Sequence, residues 1–296
     1  MLYRRQFLIA ASLLAVDTRG FGAPSRPKLP ALALTDTVIA AELATGGRVG
    51  LAVIDTATGR SFSHRGGERF PMASTFKTLL VAAILEQVDR GRLRLDQALP
   101  IAAADIVSNS PVAERHVGGT ATISDLCEAT IIYSDNAAAN LLLPLVDGPP
   151  GLTAFLRRNG DAVTRLDRYE TMMGEATPGD LRDTSSPDAT AASWRRLLLG
   201  NILSVASRDQ LTRWLIANTT GETRLRAGLP KGWRVGDKTG TGGHGSVNAV
   251  AIVWPARAMP GPVIIASFLN GGTAPDAVLY RTHGDLARAI AAAITQ

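Results

Sequence analysis

Apolar positions along the chain change period in a definite order. Residues 35–46 ("TDTVIAAELATG") carry a helical stripe stopped by Gly46–Gly47, and "RVGLAVIDTATGRSFSH" (48–64) then reads as two strands around a Thr-Gly turn. From about residue 72 to 216 the spacing is mostly helical. Three strand-like runs follow, "RVGDKTGTG", "SVNAVAIVWP" and "PVIIASFLN", separated by glycine and proline, and "DAVLYRTHGDLARAIAAAI" closes the chain as a helix. Strands at both ends with helices between predict an α/β fold whose sheet is built from both termini and flanked by helices, with an all-α domain inserted. The predicted division is 30–64 plus 217–296 for the α/β domain and 65–216 for the all-α domain. One stretch fits neither period. "LDRYETMMGEATPGD" (166–180) sets Glu170 among Tyr169, Met172 and Met173, with Gly174, Pro178 and Gly179 breaking any regular run.

The one long apolar run is at the N-terminus. "RRQFLIAASLLAV" (Arg4 to Val16) is too short to span a bilayer and reads as an export signal within residues 1–29, with cleavage near Gly22–Pro30. A membrane anchor and a disordered tail are the alternatives. Its paired arginines resemble a twin-arginine signal, although Tyr3 stands where Ser or Thr is usual. Removing residues 1–28 takes away five basic groups and one acidic one, leaving about +1 of the formal +5. Such a mature chain has no electrostatic footprint for nucleic acid. The single cysteine, Cys127, excludes an internal disulfide and reads as a small buried hydrophobe. No cofactor signature occurs, and His64, His116, His244 and His283 lie scattered without metal-ligand spacing.

Three short motifs carry candidate chemistry. In "PMASTFKTLLVAAILEQVDRG", Phe76, Leu79, Leu80, Ala83 and Ile84 predict an amphipathic helix. Ser74 falls at its first turn, where free N–H groups favour developing negative charge, and Lys77 follows on the same face within reach of the hydroxyl. A serine needs such help to act as a nucleophile. Alone, the pair is a weak pattern that reads first as a helix cap beside a surface lysine. Ser134-Asp135-Asn136 interrupts two apolar helical runs and could likewise be a simple cap. In "WRVGDKTGTGG", an extended strand puts Thr239 and Thr241 on one side beside Lys238, a set suited to a carboxylate; an exposed strand lysine is the plain alternative. Only four lysines occur in the chain, and two of them fall in these motifs.

Ser-x-x-Lys at 74–77, Ser-Asp-Asn at 134–136 and Lys-Thr-Gly at 238–240, in this order, resemble the class A serine β-lactamases. "NSPVAERHV", "VTRLDRYE", "RDTSSP" and "GDKTGTG" extend the resemblance across the whole mature chain. It implies an antiparallel sheet, an active site between the two domains, and hydrolysis of β-lactam antibiotics without a cofactor, hence antibiotic resistance. By the resemblance, Ser74 is acylated, Ser134 relays a proton to the leaving ring nitrogen, and Lys77 and Lys238 supply positive field. Backbone N–H groups of Ser74 and Thr241 would form the oxyanion hole. Asn136 would hold the substrate's amide, Thr239 and Thr241 its carboxylate, with Arg224 orienting that carboxylate. Glu170 would activate the deacylating water, on a loop supported by Asn140, by an Arg168–Asp183 pair and by burial of Met172 and Met173. A cis peptide just after this glutamate is also implied. Localisation would be periplasmic and the protein a monomer, with no membrane contact after the signal is removed.

The departures are as specific. Gly174 replaces an asparagine that usually shares the hydrolytic water, and Asn109 replaces an aromatic wall of the cleft. A penicillin-binding peptidase lacks a base such as Glu170 on this loop. A β-lactam sensor would normally be joined to a membrane segment. An esterase of another fold would need Gly-x-Ser-x-Gly, which does not occur.

Overall fold

The computed structural model describes residues 31–256 and 261–295, so the export signal and its cleavage region lie outside the described residues. Helix α1 (Ala31–Thr45) ends at Gly46, whose φ of +68° suits a glycine stop. Strand β1 (Arg48–Asp55) turns back at Gly59 into β2 (Ser61–His64). Near the other end, β3 (Arg234–Gly242), β4 (Ser246–Trp254) and β5 (Val263–Asn270) complete an antiparallel five-stranded sheet in the order β2-β1-β5-β4-β3. β1 pairs β5 from Arg48↔Asn270 to Asp55↔Val263, which joins the two ends of the chain inside one sheet.

Successive residues of these strands point to opposite faces, and both faces are apolar. Val250, Ile252, Ile264, Ala266 and Phe268 enter a large core shared with Leu80, Ile84 and Trp194. Val247, Val253, Ile265 and Leu269 pack instead with Leu34 and Val38 of α1 and with Leu286 and Ile290 of the final helix. A sheet covered on both sides explains why its strands read as unbroken apolar runs.

Between β2 and β3 lie α2 (Phe76–Asp89), α3 (Ile123–Ile132), α4 (Asn136–Leu142), α5 (Gly148–Arg158), α6 (Pro187–Leu199) and α7 (Val205–Ile216); α8 (Asp276–Ile294) closes the chain. The one-sided helix expected at 76–89 is instead enclosed, with every residue from Phe76 to Glu86 buried. Helices α3, α4, α5 and α7 surround it, so its polar residues Lys77 and Thr78 are buried as well. Each fully buried Leu, Ile or Phe contributes about 1.5–3 kcal/mol, and α2 supplies several.

Two features bring the sheet against the start of α2. A Cβ on Gly240 would fall 2.7 Å from the Met72 carbonyl oxygen and 3.2 Å from the Ser74 nitrogen, so only glycine permits this approach. Asn248 Nδ2 donates to the carbonyls of Pro71 (2.8 Å) and Met72 (3.0 Å), tying β4 to the same turn.

Candidate active site

Ser74 lies in a 3₁₀ turn, Ala73–Thr75, that leads into α2, and no side chain caps that turn. The cap reading therefore fails. Its hydroxyl donates to Glu170 Oε1 at 3.3 Å. Lys77 does not hydrogen-bond this hydroxyl as expected. Its ammonium lies 3.1 Å from the same Glu170 oxygen and donates to Asn136 Oδ1 (2.5 Å) and the Ser134 carbonyl (2.7 Å). Burial pushes the Lys77 pKa below the ordinary lysine value, while the Glu170 carboxylate pulls it back up.

The Ser-Asp-Asn segment divides its work. Asp135 is the cap, accepting from Ala138 N at 2.9 Å, and its second oxygen accepts from the Val112 and Ala113 amides. Ser134 has φ +58° and Ala73 φ +43°, two strained non-glycine positions flanking the site at a cost of about 1–3 kcal/mol each. Ser134 Oγ accepts from Lys238 Nζ at 3.0 Å and from Lys77 Nζ at 3.5 Å. An ammonium can only donate, so the Ser134 hydrogen must point elsewhere, and the cleft is the open direction.

On β3, Thr239 and Thr241 both line the cleft, as the strand period predicts. Lys238 is fully buried between Ser134 and the Thr239 carbonyl. Burial first, and then the charge of Lys77, hold its pKa well below the ordinary lysine value. Arg224 is buried behind the strand. Its guanidinium donates to Thr241 Oγ1 (2.6 Å) and to the carbonyls of Gly240 and Asn248, and it stacks 4.6 Å from the Tyr280 ring. Lys77, Lys238 and Arg224 give the cleft a positive field that favours an anionic substrate.

The irregular loop is fastened at three places. At its neck, Asp183 accepts from Arg168 Nε at 2.6 Å and from the Asp167 and Arg168 amides, while Arg168 also reaches Glu175. Asn140 brackets Glu170, accepting from its N–H and donating to its carbonyl, each at 2.9 Å. The Gly174 carbonyl accepts from Gly243 N at 2.8 Å, linking the loop to the turn after β3. The Glu170–Thr171 peptide is cis. Met173 is buried, but Met172 is 57% exposed and does not anchor the loop as expected, because its short 3₁₀ turn sends adjacent side chains to different sides. A Cβ on Gly174 would meet nothing within 4 Å.

These elements enclose a cleft of about 500 Å³ lined by Ser74, Ser134, Asn136, Glu170, Gly174, Arg224, Thr239 and Thr241 among others. Asn109, expected as a cleft position, has a polar task there, and three further contributors were not legible in the sequence. Asn109 Nδ2 donates to the Ser134 carbonyl at 3.0 Å, and its own carbonyl accepts from Asn136 N. Tyr133, 44% exposed, supplies an aromatic surface in the lining. Thr220 contacts Thr239, and Asn248 braces the Ser74 turn. Only the adjacency of Tyr133 to Ser134 was a usable signal.

Residues 33–296 match the family model described as the β-lactamase enzyme family. β-Lactamase L2 of Stenotrophomonas maltophilia is 47% identical over 281 residues, which is 92% of either chain. β-Lactamase AST-1 of Nocardia asteroides is 50% identical over 227 residues, covering 76% of this chain and 72% of its own. Among solved structures, an ancestral class A β-lactamase superposes with a TM-score of 0.85 at 52% identity, covering 87% of this chain and 98% of its own. A β-lactamase from Xanthomonas campestris gives 0.86 at 47% identity, covering 88% and 97%.

Proposed function

The chain belongs to the β-lactamase enzyme family as a class A serine enzyme, hydrolysing the β-lactam amide through an acyl-enzyme, and we propose that Ser74, Lys77, Ser134 and Glu170 carry that reaction. The observation that carries the assignment is the convergence of the Ser74 hydroxyl and the Lys77 ammonium on one oxygen of Glu170. As Oγ attacks the ring carbonyl, the Ser74 proton leaves to the Glu170–Lys77 pair. It goes to Glu170 along its existing contact, or to Lys77 where that carboxylate is removed, since burial lowers the lysine pKa and Glu170 then no longer raises it. The N–H groups of Ser74 and Thr241 receive the carbonyl oxygen. Ser134 donates its hydrogen to the departing ring nitrogen, and Lys238 and Lys77, donating to its oxygen, keep that hydrogen turned outward. Asn136 holds the substrate's side-chain amide. Thr239, Thr241 and Arg224 hold its carboxylate. The proton taken from Ser74 passes through Lys77 to Ser134, which restores its hydroxyl and leaves Glu170 a carboxylate again. Glu170 then takes a proton from the water that attacks the ester and returns it to Ser74 as the ester bond breaks.

Residues 30–64 with 217–296, and 65–216, act in this reading as two units with the cleft between them. Export of the mature chain to the periplasm, by the twin-arginine or the general route, and action there as a monomer complete the proposal. The test is labelling by benzylpenicillin followed by intact mass. Ser74→Ala is expected to take up no acyl group, and a labelled Ser74→Ala protein would overturn the assignment.

A further inference from the structure

Ser134, Thr239 and Thr241 each present a hydroxyl to the cleft, and each has a polar partner against it. Ser134 is backed by Lys238 and Thr241 by Arg224. Both partners can only donate, so both hydroxyl hydrogens are left for a substrate. Thr239 differs. Beside it at 2.5 Å, on the same cleft wall, stands Thr220 Oγ1, a hydroxyl that can donate or accept. Thr220 Oγ1 also donates to Asn218 Oδ1 at 2.9 Å, and its single hydrogen is then committed. In that arrangement Thr239 must donate its own hydrogen to Thr220, away from the cleft.

The amide of Asn218 has its orientation fixed. Its Nδ2 donates to Asp237 Oδ1 at 3.0 Å, an oxygen that also accepts from Arg226 Nε at 2.8 Å. Oδ1 of Asn218 therefore faces Thr220. It accepts there from the Thr220 backbone N–H at 3.1 Å as well as from the hydroxyl. Losing the hydroxyl donor leaves this oxygen with one hydrogen bond, so the turn strands no buried acceptor.

We propose that Thr220 is a positioning residue whose hydroxyl turns from Asn218 to Thr239 when a substrate carboxylate enters, freeing the Thr239 hydrogen for that carboxylate. The inference rests on the reading that Thr239 holds the carboxylate. After the turn, Thr239 accepts from Thr220 and donates to the substrate, as Thr241 does beside Arg224. All three hydroxyls then donate in the same direction. A hydroxyl that accepts one hydrogen bond is also the better donor of another.

The test compares kcat/KM for benzylpenicillin with that for its methyl ester, which lacks the anionic group. Thr220→Val keeps the shape of the side chain but cannot donate. Thr239 is then free to donate but accepts no hydrogen bond that strengthens its own. The acid-to-ester ratio is therefore expected to fall by about 3- to 10-fold, through a higher KM for the acid with kcat little changed. Thr220→Ser should restore the ratio. Equal losses on acid and ester would mean a merely structural role and overturn the proposal, as would an unchanged ratio in Thr220→Val alone. Thr239→Val separates the two failures, because an unchanged ratio there overturns the carboxylate site itself. If the valine variant does not fold, Thr220→Ala reads the same ratio.

Discussion

Which way a side chain points its hydrogen, or holds its charge, is decided in this cleft by the group buried behind it. Lys238 is the clearest case. A lowered pKa means that its proton is lost at lower pH than usual, so carboxylate binding fades as pH rises through that value. The alkaline limb of kcat/KM is expected to fall below pH 10.5, the ordinary lysine value, and Lys238→Arg should move it upward. A limb that stays put in the arginine variant would exclude Lys238 as its source. Gly174 has open space where a side chain would stand, so Gly174→Asn fits without strain. It should speed deacylation of some substrates by positioning water, and pre-steady-state traces identical across a substrate panel would count against this. Ser74, Lys77 and Lys238 were legible because two of the chain's four lysines fall in spaced motifs. Thr220 was not, and neither was the hydrogen bond of Asn109 to Ser134. These pairings span 19 positions to Thr239 and 25 positions to Ser134, and no periodicity marks them.

The loop at 166–180 owes its shape to polar ties rather than to a repeating backbone pattern. The resemblance implied the neck pair Arg168–Asp183, but nothing in it marked the two backbone amides that Asp183 also holds. Asp183→Ala leaves Arg168 its Glu175 partner but strips the Asp167 and Arg168 amides of their acceptor, an expected loss of about 1–3 kcal/mol that thermal melting will read. Asn140→Ala touches only the Glu170 backbone. It should slow deacylation more than acylation, by about tenfold or more. Equal slowing of both steps would place the role of Asn140 elsewhere. Regular elements were more legible than the loop. β3 and α8 fall on the runs expected for them, α8 because its buried positions keep the helical spacing and β3 because its extended run, buried from 235 to 240, ends at glycines. Helix α2 misled because helices cover it on all sides, and burial then hides the polar stripe that period-reading relies on.

At the scale of the whole molecule, one antiparallel sheet joins both ends of the chain and sets β3 against the turn that carries Ser74. The strands at each end made this sheet readable, whereas the cleft depends on contacts among residues as far apart as Lys77, Ser134, Glu170 and Lys238. Sedimentation of the mature chain is expected to show a monomer, and a stable dimer would correct that part of the account. The central claim is that Glu170 turns a trapped ester into a turnover. Intact-mass spectrometry of Glu170→Ala mixed with benzylpenicillin tests it most directly. The expected result is a single acyl adduct on Ser74 that persists while the unmutated protein clears its own; rapid turnover of the variant with no adduct would contradict it.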